Sequence, residues 1–157
     1  MSKIVIIMGS KSDLNHSEKI LETLKQFELP CVFRVASAHK VPLKALDIIK
    51  EYDAEDVVFI TVAGRSNALS GFVDAHTTKP VIACPPYSDK FAGADIFSSL
   101  RMPSGVCPMV VLEPEQAALA AVKILAVSNK DLQQKIKEYQ EEKRREIEKA
   151  DKEVQNG

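Results

Sequence analysis

Unbroken apolar runs of strand length alternate with segments of helical period through most of this chain. The first run, Ile4-Val5-Ile6-Ile7, shows no polar alternation, which suits a strand covered on both faces of a parallel sheet. Leu14, Ile20, Leu21, Leu24 and Phe27 then follow a helical spacing that stops before Pro30. Residues 31–37 predict a second strand. Residues 42–52 predict a helix opened by Pro42, since proline fits the first helical turn. A third strand is predicted over 56–63, then a short helix to about His76. A fourth strand is predicted over 80–84, ended by Pro85-Pro86, and a helix over 91–100. The fifth strand is predicted over 106–112, where Pro108 requires an edge position or a bulge. An alanine-rich helix follows over 113–127, its small side chains allowing close packing.

Strands alternating with helices in this way predict an α/β fold: a three-layer, doubly wound parallel sheet with right-handed crossovers. Five strands favour the flavodoxin-like order 2-1-3-4-5. Residues 1–128 form this domain. Residues 129–157 differ in kind, being dense in Lys, Glu, Gln and Arg, and predict a long C-terminal helix. Leu132, Ile136, Tyr139, Ile147, Ala150 and Val154 recur three or four apart on it or at multiples of that spacing, with Lys143 interrupting the stripe. Such a narrow seam suits an arm on a neighbouring subunit, while a solvated helix lying on its own subunit remains open.

Composition narrows the function classes. The 157 residues carry a formal net charge of −1, which argues against a general nucleic-acid binder. No apolar run is long enough to cross a membrane, and Lys3 alone before a short β-like run gives no signal peptide. Cys31, Cys84 and Cys107 form neither a CxxC pair nor a zinc spacing, and are expected as buried thiols of a cytoplasmic protein.

Candidate chemistry collects in three polar turns, one after each of the first three strands. They are Gly9-Ser10-Lys11-Ser12-Asp13, Ser37-Ala38-His39-Lys40 and Gly64-Arg65-Ser66-Asn67. All three should open on one edge of the sheet. Gly9 permits close backbone approach, and Ser10 and Ser12 offer hydroxyls and N–H groups at a helix start, a ready anion site. Ser12 or Asp13 can also cap the first helix, and Asp13 can accept hydrogen bonds from a ribose diol. With the cations Lys40 and Arg65, this crevice suits a phosphorylated ribose carrying a small heterocycle. His39 is the histidine placed for proton transfer, because an imidazole titrates near working pH. His16 reads as a surface residue, and His76 as a structural residue at a helix end. With no glycine-rich dinucleotide loop, Walker loop or metal-ligand cluster, the reaction should need no cofactor, ATP or metal.

Together with Ser98-Ser99-Leu100-Arg101-Met102-Pro103-Ser104-Gly105, these turns resemble the phosphoribosylaminoimidazole carboxylase family of purine biosynthesis. The match runs in order from about Lys3 to Asn129. One branch of that family is a mutase, which typically shows Arg after the histidine and a glycine- and histidine-rich loop after the third strand. Here Lys40 stands for the arginine, Arg65 for a glycine, Ala68 for a second histidine and Ser70 for a proline. These departures are similar to the other branch, the carboxylase that takes carbon dioxide directly.

The resemblance implies reversible carboxylation of aminoimidazole ribonucleotide (AIR) with CO2 to 4-carboxy-AIR, without ATP or biotin. It implies His39 as general acid and base, Ser10 and Lys40 near the phosphate, and Asp13 on the ribose. Gly9, Ser12, Ser37, Gly64, Arg65 and Ser66 would complete the pocket. It further implies a homo-octamer with sites at subunit contacts, to which residues 88–105 contribute. Two rivals remain: the N-carboxy-AIR mutase, and a non-catalytic nucleotide-binding module.

Overall fold

The computed structural model describes residues 2–156. Its element order is β1 (Lys3–Met8), α1 (Leu14–Gln26), β2 (Cys31–Val35), α2 (Pro42–Tyr52), β3 (Val57–Val62) and α3 (Leu69–Asp74). There follow β4 (Val81–Ala83), α4 (Phe97–Leu100), β5 (Met109–Val110), α5 (Pro114–Ala126) and α6 (Lys130–Gln155). Among the described residues the five strands form one sheet in the order β2-β1-β3-β4-β5, with every pairing parallel. This is the predicted doubly wound order.

The unbroken runs are explained by the two faces of that sheet. Ile4, Ile6 and Met8 of β1 point to one side with Val58, Ile60 and Val62 of β3, and pack against α1, α5 and the start of α6. Val5 and Ile7 point to the other side with Val57 and Phe59, and pack against α2 and α3. Alternate residues of a strand face opposite ways, so a strand with helices on both sides has no solvent face to make polar. β2, at the sheet edge, is only half buried.

Three local predictions are corrected. Residues 91–100 do not form one helix. Ala92 (φ 47°) and Gly93 (φ 78°) are both left-handed, and a right-handed helix cannot run through them. Two single 3₁₀ turns, Asp89–Phe91 and Ala94–Ile96, and the short α4 take its place. The fifth strand pairs over Met109–Val110 only. It lies at the edge of the sheet, where Pro108 interrupts nothing. Asp13 stands at the N-cap of the first helix, but neither its side chain nor that of Ser12 makes a capping bond there. Ser10 caps the preceding 3₁₀ turn in a capping box, and the Asp13 carboxylate accepts from the Ser10 N–H at 3.1 Å.

The cysteines also divide: Cys84 is buried and Cys31 half-buried, but Cys107 is exposed. Burial pushes the Cys31 and Cys84 thiols up to about 12, so both stay protonated and inert at neutral pH. On α6, Leu132 and Ile136 are buried in the core, and the Tyr139 ring packs on Phe27 at 5.3 Å. From Glu141 onward every described residue is exposed, including Ile147 and Val154. The predicted stripe therefore lies on its own subunit over its first half and projects free over its second.

Candidate active site

The first crossover, β1-α1-β2, runs over one face of the sheet, and the next, β2-α2-β3, over the other. The chain thus turns opposite ways from β1 and β3, which opens a crevice at their carboxyl ends, the place where open α/β sheets bind ligands. A cavity of about 570 Å³ fills it. That volume accommodates a nucleoside monophosphate.

Each predicted turn supplies one wall of this cavity. After β1 come Gly9, Ser10, Ser12 and Asp13; after β2, Ser37, Ala38, His39 and Lys40; after β3, Gly64, Arg65 and Ser66. The structure therefore brings together all ten residues predicted from sequence. Gly9 sits where the first and third walls meet. A Cβ there would lie 3.3 Å from the Ala63 Cβ, so a side chain would push the walls apart.

The first wall is built around the Ser10 hydroxyl, whose oxygen accepts from the Ser12 N–H at 3.2 Å and the Ser12 hydroxyl at 3.0 Å. Asp13 closes the box from behind. Burial pushes its carboxyl above the usual carboxylate value, and the hydrogen bond from the Ser10 N–H opposes this. In the second wall, the Ser37 hydroxyl accepts from the Lys40 N–H at 3.2 Å and shapes a tight turn. That turn leaves the side chains of His39 and Lys40 exposed at the cavity, with no side-chain hydrogen bond among the described residues. A free imidazole and a free ammonium are thus presented side by side to whatever enters. In the third wall, Arg65 has φ 62°. Left-handed backbone costs a residue with a Cβ roughly 1 kcal/mol, so something must hold it.

Sequence reasoning missed Pro86 and Tyr87, after β4, on the far side of the cavity. It expected residues 88–105 at a neighbouring subunit's site, whereas Ser88 and Asp95, before α4, line the cavity of their own chain. The weak signal was the Pro85-Pro86 pair, which ends β4 and throws the chain back across the crevice. Asn67 belongs to the third predicted turn but does not line the cavity. It is buried beneath, its side-chain amide donating to the Ser99 hydroxyl at 2.9 Å.

The other two histidines lie outside this cavity. His76 is exposed, its Nδ1 2.7 Å from the Phe72 carbonyl, in the structural place predicted. His16 is not a surface residue: it is half-buried, with Nε2 3.4 Å from the Cys84 Sγ. Burial, and next the nearby Lys19 ammonium, hold its imidazole below the usual histidine value. The prediction failed because helical period places His16 on α1 but says nothing of the β4 end beneath it.

Comparison with known proteins gives this architecture a lineage. A family model described as AIR carboxylase matches residues 3–146. A phosphoribosylaminoimidazole carboxylase of Archaeoglobus fulgidus is 67% identical over 152 residues, 97% of this chain and 84% of that one. A human bifunctional phosphoribosylaminoimidazole carboxylase/phosphoribosylaminoimidazole succinocarboxamide synthetase is 45% identical over 129 residues, 81% of this chain and 30% of that one. The crystal structure of Treponema denticola PurE superposes with a TM-score of 0.95 at 48% identity, covering 98% of each chain. With the family model spanning the whole sheet, helices α1 to α5 and the larger part of α6, and relatives this similar over nearly the full length, the chain belongs to the AIR carboxylase family.

Proposed function

We propose that this protein is a phosphoribosylaminoimidazole carboxylase of purine biosynthesis that joins CO2 directly to AIR and uses His39 as its proton-transfer group. The observation that carries this reading is the meeting of three strand-end turns around one cavity, with His39 the one histidine lining it among the described residues.

The chemistry follows from the substrate. AIR is electron-rich at a ring carbon, which attacks the carbon of CO2 as an enamine would. One carbon–carbon bond forms, and a carbon–oxygen π pair of CO2 becomes the carboxylate. The adduct carries a proton on a tetrahedral ring carbon. His39 takes that proton and the C–H electron pair returns to the ring, restoring aromaticity. In reverse, the imidazolium protonates the same carbon and CO2 leaves. Holding both reactants in one crevice supplies much of the acceleration. No step calls for ATP, biotin or a metal.

Binding roles follow the walls. Ser10, Ser12 and Lys40 meet the phosphate, where hydroxyls and a compact cation can gather around an anion. Asp13 accepts from the ribose hydroxyls. Gly9, Ser37, Gly64, Arg65 and Ser66 close around the base and its incoming carboxyl group. Lys40 and Arg65, at the positions that separate the family's branches, support the carboxylase over the mutase.

We further propose a homo-octamer with the distal half of α6 as an intersubunit arm. Leu43, Tyr87, Phe97 and Leu100 are all more than half exposed, which supports self-association around the cavity. Three unpaired cysteines, one of them exposed, support a reducing, cytoplasmic setting.

An ATP-free assay of purified protein tests the function. One arm supplies AIR with varied dissolved CO2, the other the N-carboxylated nucleotide. Saturable turnover with CO2 alone supports the carboxylase. Turnover only with the N-carboxylated substrate makes the protein a mutase. Tight nucleotide binding with turnover in neither arm makes it a binding module.

A further inference from the structure

Backbone outliers concentrate at functional sites, and Arg65 (φ 62°) is the outlier that lines this cavity. Its restraint comes from across the crevice. The chain leaves Pro86, crosses above the cavity and reverses at Ala92 and Gly93, both left-handed. A Cβ on Gly93 would lie 3.0 Å from the Tyr87 Cε2, so glycine lets this turn sit against the tyrosine ring. The 3₁₀ turn that follows, Ala94–Ile96, presents Asp95, whose Oδ2 accepts from the Arg65 N–H at 2.9 Å.

Two serines complete the grip. Ser98 Oγ accepts from the Asn67 N–H at 2.9 Å and lies 2.8 Å from the Asp95 carbonyl, to which it donates. Ser99 Oγ accepts from the Asn67 side-chain amide, and Asn67 Oδ1 in turn accepts from the Ser70 N–H at 3.2 Å. Asn67, Ser70 and Ser99 are all buried, so water does not compete with this part of the contact. Asn67 is therefore anchored whether or not Asp95 is present. Arg65, two residues earlier and exposed, is held at its N–H by the Asp95 carboxylate and, more weakly, at its carbonyl by the Ser98 hydroxyl at 3.4 Å, whose nearer acceptor is the Asp95 carbonyl; the N–H bond is the one that bears on φ. Without that carboxylate Arg65 would relax to an ordinary negative-φ conformer, and its side chain would leave the cavity wall in another direction.

We propose that Asp95 is a positioning residue: by holding the Arg65 N–H it keeps Arg65 left-handed and so aims the guanidinium at the substrate. The inference rests on Arg65 binding substrate, as proposed above. Asp95 itself moves no proton and forms no bond. What matters is an acceptor oxygen at that point, charged or neutral.

The test is a double-mutant cycle in the full-length protein, read on kcat/KM and on AIR affinity by calorimetry. Asp95→Ala is expected to lower kcat/KM by about tenfold, mostly through KM for AIR, with a near-unchanged melting temperature. Asp95→Asn, which keeps an acceptor oxygen, should recover to within about threefold of wild type. In an Arg65→Gly background, where glycine takes the left-handed backbone freely and there is no guanidinium to aim, Asp95→Ala should cost less than about twofold. Amide exchange at Arg65 should rise in Asp95→Ala whatever the activity. Wild-type kinetics in Asp95→Ala, no recovery in Asp95→Asn, effects that simply multiply, or unchanged exchange at Arg65 would each overturn the assignment. Should wild type fail to carboxylate AIR, the proposed function falls, and affinity and exchange still decide the role of Asp95.

Discussion

Replacing His39 with asparagine separates chemistry from binding more cleanly than any other change in this protein. The imidazole is exposed, on the turn between β2 and α2, and no described residue hydrogen-bonds to it. Losing it therefore leaves no cavity and no orphaned partner, and stability should change by less than about 0.5 kcal/mol. For a chain of 157 residues that is about 2 °C or less in melting temperature. Asparagine keeps a polar side chain on the turn but cannot take the ring-carbon proton. Loss of a positioned acid–base group lowers kcat by about 10² to 10⁴, or about 3 to 5 kcal/mol of barrier. The nucleotide phosphate and ribose are assigned to other walls, so AIR affinity should stay within about threefold. Product absorbance at saturating CO2 gives kcat, calorimetry gives affinity, and a thermal melt confirms the fold. A kcat within about threefold of wild type removes His39 from the mechanism. An affinity loss that matches the rate loss makes it a binding residue instead.

Other substitutions probe the remaining assignments. Lys40→Ala should weaken AIR binding by about tenfold while changing kcat little, since it removes one solvent-exposed charged contact; unchanged affinity in calorimetry would end its phosphate role. His16 is held below its ordinary value of 6.5, so its contribution to stability is present above that pH and is lost as pH falls through the lowered value. Wild type should therefore lose more melting temperature than His16→Gln on going from about pH 7.5 to pH 5, and equal losses would show that the burial of His16 is not felt. Removing α6 from Lys143 onward leaves Leu132, Ile136 and Tyr139 in place, so the melting temperature of the subunit should barely move. Size-exclusion chromatography of the same truncation should show a smaller assembly, and an unchanged one would refute the arm.

Much of this was legible from periodicity. Apolar runs without alternation announce strands buried on both faces, and β1 and β3 are such strands. The strand–helix rhythm announces the doubly wound order, and that order puts the turns after β1, β2 and β3 at one edge. Hence the sequence alone gathers Gly9, Ser10, Asp13, His39, Lys40 and Arg65 into one crevice, because a parallel sheet aligns the carboxyl ends of its strands. Period, however, reports only which face of an element is covered. It is silent where the backbone leaves regular structure, as at Ala92-Gly93, where two left-handed residues in a row broke a predicted helix. It is silent too on which remote segments meet. The approach of His16 to Cys84 spans 68 positions, and that of Asp95 to Arg65 spans 30. Such contacts join side chains and loops far apart in sequence and leave no repeat behind. The tertiary fold alone decided them: packing α1 beside the end of β4 half-buried His16 against Cys84, and carrying the 86–99 segment across the crevice placed an acceptor beside the Arg65 N–H.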